Sequence, residues 1–179
     1  MPVERAGLKI AILRCDGESA INSDYMEEKL SNARIFLDTT AQGDAVANVE
    51  RRIRTIKERV RGIYNTLPFM LCGSLLRWLI QYAVYRINSE LKATANDNLS
   101  PAERLFNRAI DAKSDLKFAF GDYVQVTDEE TTNEMTERTK GAIALMPAGN
   151  REGSWWFYIL QTGGVVKRNK ADKLPCPMK

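Results

Sequence analysis

Glu50, Arg54, Lys57 and Arg61 fall at positions i, i+4, i+7 and i+11, so on a helix they share one face. Arg51 adds a neighbouring cation, and residues 50–61 hold six basic residues against two acidic ones. A carboxylate suits a hard divalent cation, Mg²⁺ or Mn²⁺, because such ions take oxygen ligands. A row of cations suits a phosphate backbone. A second carboxylate, Asp16, stands 34 positions before Glu50, between the apolar run Leu8–Arg14 and Gly17. That setting puts Asp16 at the carboxyl end of a strand. Each feature has a plainer reading: a solvated helix face with pairs such as Glu50 with Arg54, and a simple turn at Asp16-Gly17. Spacing alone leaves both open.

The elements that would position these residues can be read from periodicity. Leu8–Arg14 and Arg34–Thr39 read as short strands, with a helix over 22–32 capped by Asn22 or Ser23. Val46, Val49, Ile53, Ile56, Val60 and Ile63 recur at intervals of 3, 4, 3, 4 and 3, an apolar helical stripe that Pro68 closes. A second long helix is expected from about Phe69 to Leu91. Ser100-Pro-Ala-Glu103 reads as a capping box opening a helix to about Ile110. Past Lys113 the texture changes to short strand-like runs: Phe118–Val126, Gly141–Met146, Trp155–Leu160 and Val165–Lys167. Two of the four aromatics Trp155–Tyr158 should be core, and a nucleic-acid or partner surface is the less favoured reading of the other two. The stretch Asp128–Glu137 reads as a solvated acidic loop, and the basic tail from Lys167 as solvated.

Composition removes whole classes of chemistry. The chain of 179 residues has no histidine, which excludes Ser-His-Asp and Cys-His catalysis and His-ligated zinc. Its three cysteines, Cys15, Cys72 and Cys176, have no paired spacing, so a reducing compartment is expected. The apolar run Leu67–Leu91 contains Arg77, Gln81 and Arg86. A charge at the centre of a membrane span costs roughly 2.5–3.5 kcal/mol, so a buried helix and no membrane partner are expected.

Asn48-Val-Glu-Arg-Arg-Ile-Arg-Thr-Ile-Lys-Glu-Arg-Val-Arg61 resembles the glutamate-bearing helix of copia-type retrotransposon integrases. Leu13-Arg-Cys-Asp-Gly-Glu18 is similar to the segment that holds that family's second catalytic aspartate. Ser100-Pro-Ala-Glu-Arg-Leu-Phe106 is similar to its Ser-Pro-x-Glu helix. Phe120-Gly-Asp-Tyr-Val124, Gly141-Ala-Ile-Ala-Leu145 and Val165-Val-Lys-Arg168 resemble the small SH3-like barrel that follows. The ordered set spans nearly the whole chain.

The resemblance implies an α+β chain: a truncated RNase H-like core with a helical extension over 1–112, then an SH3-like barrel over 113–179. It implies Asp16 and Glu50 as catalytic and metal-ligating carboxylates, and Arg51, Arg54, Lys57 and Arg61 as contacts to DNA, with RNA as a second possibility. Two metal ions about 3.5–4 Å apart would drive an in-line displacement. The family's first aspartate lies on a strand well upstream of the second, and no residue here matches it. The polypeptide is therefore expected to be inactive alone, working as a homo-oligomer or as part of a longer polyprotein, in the nucleus or cytoplasm. The alternative is a non-catalytic nucleic-acid-binding remnant of a mobile element.

Overall fold

Parallel strands need a crossover between them, usually a helix, and the first part of the chain has this form. The structure, a computed structural model, describes residues 7, 9–15, 21–39, 47–91, 98–107, 109–127, 135 and 138–176. It divides into two compact units, residues 1–57 and 58–179. The change from helix-rich to β-rich sequence near 113 runs inside the second unit.

In the first unit, strand β1 (Ile12–Cys15), helix α1 (Asp24–Asn32) and strand β2 (Phe36–Thr39) form a βαβ arrangement, with Ile12 opposite Phe36 and Cys15 opposite Thr39. Ser23 caps α1, its hydroxyl accepting from the Met26 N–H at 3.4 Å. β1 is shorter than the expected run Leu8–Arg14, because its partner strand is only four residues long. Leu13, Cys15 and Leu37 take the more covered side. Ile12 and Phe36 point the other way and stay exposed, beside an Arg14–Asp38 ion pair at 2.6 Å.

Helix α2 (Ala47–Thr66) begins in the first unit and continues into the second, where α3 (Gly73–Ser89), α4 (Pro101–Phe106) and α5 (Ala112–Asp115) follow. The expected start of α3 at Phe69 is corrected to Gly73. Leu67 and Leu71 pack against the core from a non-helical segment, which a helix beginning at Phe69 would not allow. The capping box of α4 is present: Ser100 N–H donates to Glu103 Oε2 at 2.7 Å and Glu103 N–H to Ser100 Oγ at 3.1 Å. The Ser100 N–H first, then the Ser100 hydroxyl and the Ile110 N–H, hold the Glu103 carboxyl below its ordinary pKa. α4 stops at Phe106 rather than Ile110. Asn107 adopts left-handed backbone, and the chain folds back so that Ile110 N–H donates to Glu103 Oε1 at 3.2 Å.

Five antiparallel strands complete the second unit: β3 (Tyr123–Thr127), β4 (Thr139–Pro147), β5 (Trp155–Ile159), β6 (Val165–Arg168) and β7 (Ala171–Lys173), in spatial order β6-β5-β4-β3-β7. The fold class is α+β as expected, and the sheet is compatible with an SH3-like region but open, with β6 and β7 at its edges. Alternation sends Val124, Val126, Ala142, Ala144, Trp155, Phe157 and Ile159 to one face, all buried. A bulge at Leu145 between Ala144 and Met146 keeps β4 in step with β5. Trp155 Nε1 donates to the Ser114 carbonyl at 2.7 Å, which ties α5 to the core.

β3 starts five residues later than the run beginning at Phe118. Residues 119–122 form a turn, in which Ala119 N–H donates to Asp122 Oδ2 at 2.8 Å. Phe118 and Phe120 are buried nonetheless. Lys167, Lys170 and Lys173 of the tail are exposed, but the tail also forms a strand not expected from sequence: β7 pairs with β3, buries Ala171, and gives the Lys117 ammonium a carbonyl at 2.9 Å. Most of the acidic stretch Asp128–Glu137 lies outside the described residues.

Gly121 has φ +90, and a Cβ there would overlap the Leu67 side chain. Gly121→Ala is expected to lower stability by about 2 kcal/mol or more in urea unfolding, because strain and overlap act together. An unchanged midpoint would show that the Leu67 contact is slack.

Candidate nucleic-acid interface

Helix α2 carries the candidate row. Its 20 residues begin at Ala47, so Glu50 stands in the first turn, where a negative charge is favoured by the helix dipole. Glu50, Arg51, Arg54, Lys57 and Arg61 are all exposed, as a phosphate-tracking row requires. Thr55 turns its hydroxyl back to the Arg51 carbonyl at 2.9 Å, which keeps that short polar side chain out of competition with the row.

The apolar stripe beneath the row is not uniformly covered. Val60 and Ile63 pack against the core of the second unit. Val49 and Ile53, one turn apart near the start of the helix, are 48% and 45% exposed. Arg59 is withdrawn from the cationic surface by a two-pronged pair with Glu90, both bonds 2.8 Å, just past the end of α3. Sequence periodicity found the stripe and the row. It could not show where along the helix cover ends, because that depends on what the rest of the chain folds against.

Asp16 lies outside the described residues, so its distance from Glu50 is not defined. Among the described residues no group of three or more acidic or cysteine side chains is gathered as a metal site. One exposed carboxylate, Glu50, offers too few oxygen ligands for Mg²⁺ or Mn²⁺. The described residues do not fit a two-metal centre, and no metal-dependent step is assigned to them.

The four aromatics of β5 divide as alternation requires, but neither face is free. Trp155 and Phe157 are buried, with Phe118 edge-on to both at 5.2 and 5.8 Å. Trp156 and Tyr158, on the opposite face, pack against the core as well, and Trp156 meets Trp78 of α3 with ring centroids 5.7 Å apart. The physical reason is that α3 needs cover for its own apolar side. Of the basic residues after Val165, Lys173 is paired with Asp122 at 2.8 Å.

No protein-family model matches the chain, and no curated protein matches it. Among solved structures, a chain of the cryo-EM structure of the simian T-cell lymphotropic virus intasome in complex with PP2A regulatory subunit B56 gamma is similar. The TM-score is 0.46 and the identity 13%, over 99% of this chain and 62% of that chain. This chain thus spans less than two thirds of that one. A likeness of this degree assigns no activity. Among the described residues no helix is long and apolar enough to cross a membrane.

Trp156→Ala separates packing from recognition. It is expected to lower stability by about 2 kcal/mol through the space opened beside Trp78, while the affinity of the folded protein for single-stranded DNA stays unchanged. A loss of affinity with unchanged stability would restore the stacking role.

Proposed function

We propose that this chain is a nucleic-acid-binding piece of a retrotransposon-type integrase, engaging DNA through the exposed cations of α2 without chemistry of its own. The observation that carries the reading is the exposed set Arg51, Arg54, Lys57 and Arg61 on one continuous 20-residue helix. Four such side chains on successive turns match a chain of phosphates better than a single anion. Arginine is weakly hydrated and offers a planar fork of donors that suits phosphate oxygens. A row of cations spaced along a helix tracks the backbone, so binding is steeply dependent on salt.

The sequence motifs supply two carboxylates, Asp16 and Glu50, of the three that the family uses. Strand transfer with Mg²⁺ or Mn²⁺ would require the third from elsewhere, such as a longer polyprotein.

Salt dependence of duplex binding tests the reading directly. Affinity for a short duplex, measured by fluorescence anisotropy across a salt series, is expected to fall steeply as salt rises. Arg54→Ala with Lys57→Ala should reduce the slope of log affinity against log salt by about 2, one unit for each lost phosphate contact. Binding that ignores salt, or a slope that the double variant leaves alone, contradicts the proposal.

A further inference from the structure

One hydroxyl stands among the cations of α2, and DNA binding does not account for it. Thr55 is exposed, and its hydroxyl donates to the Arg51 carbonyl at 2.9 Å, a bond within its own helix. Arg51, Arg52 and Arg54 fill three of the four positions before it. No other serine or threonine of the chain has more than one basic residue in those four positions. An enzyme that selects its substrate by charge, through an acidic groove, would single out this hydroxyl. Opening the stretch around it costs little. Val49 and Ile53 are half exposed, so few buried apolar contacts hold the first half of α2 in helical form. Threonine is a poor helix former, and a bond to the carbonyl four residues back loosens a helix further. A protein kinase that takes its substrate in extended form meets little resistance here.

We propose that Thr55 is a phosphorylation site for a kinase that selects basic substrates, and that its phosphate switches off DNA binding by α2. The γ-phosphoryl group of ATP passes to Thr55 Oγ1. Its bond to the β-phosphate oxygen breaks, ADP leaves, and the hydroxyl proton goes to the kinase's base. The product carries nearly two negative charges at neutral pH. Residues three and four positions back share a helix face, so the phosphate meets the exposed Arg51 and Arg52. Charge-assisted bonds to the new phosphate oxygens then engage Arg51, one of the proposed DNA contacts, within its own chain. The same charge stands next to Arg54 and repels the phosphates of an approaching duplex. Glu58, three positions further on, adds to that repulsion. The switching half of the proposal rests on the DNA-binding reading; the modification site does not.

The full chain, incubated with ATP, magnesium and the catalytic subunit of cyclic-AMP-dependent protein kinase, tests this in two readouts. Peptide mass spectrometry is expected to find Thr55 as the main phosphorylated residue, and Thr55→Ala to abolish that signal. A kinase that prefers acidic substrates should leave Thr55 unmodified under the same conditions. In fluorescence anisotropy at about 0.1 M salt, the phosphorylated chain should bind a short duplex at least about tenfold more weakly than the untreated chain. Thr55→Ala, taken through the same kinase treatment, should bind as tightly as untreated wild type. Phosphate placed mainly elsewhere, or no phosphate at Thr55, overturns the modification site. Phosphorylated protein that binds the duplex as tightly as before overturns the switch. Duplex binding absent before any phosphate is added overturns the function proposed above and the switch with it, while the mass spectrum still decides the site.

Discussion

Strand β4 is buried on both faces, and the second unit is built around that constraint. Ala142, Ile143, Ala144 and Leu145 are consecutive, so their side chains point both ways, yet all four are buried. One side is filled by Val124, Trp155 and Phe157 from the neighbouring strands. On the other, Met146 and Trp156 need cover, and Trp78 of α3 supplies it. Leu79, completely buried beside Trp78, adds about 1.5–3 kcal/mol by itself. The helix before the sheet and the sheet itself are therefore one folding unit. Neither would keep its apolar side dry without the other.

That shared core explains the uneven character of α2. Its last turns reach the core through Val60 and Ile63, and Arg59 is tied to Glu90. Nearer its start Val49 and Ile53 are exposed, although the apolar stripe runs through them unchanged. A helix that is amphipathic along its length but covered over only part of it leaves an apolar edge beside a cationic row.

Features set by neighbours along the chain were legible in the sequence. The capping box at Ser100 and Glu103, the stripe of α2, and the alternation of Trp155 to Ile159 each depend on residues a few positions apart. What depended on distant partners was not legible. α3 starts at Gly73, after a non-helical segment from which Leu67 and Leu71 pack against the core. β7 is three residues long and exists because β3 offers it an edge. The candidate site divides the same way: the charge row is a matter of spacing, while the pairing of Arg59 with Glu90 depends on where the end of α3 comes to lie. Nothing in the periodicity of either helix announced it.

The central claim is that DNA lies along α2 and not on the sheet. Backbone amide shifts of isotope-labelled protein, followed by NMR during titration with a short duplex, locate the contact directly. The account requires the largest changes at residues 51–61, with β3–β7 nearly unmoved. Changes concentrated on β5 and β6, with α2 silent, would contradict it.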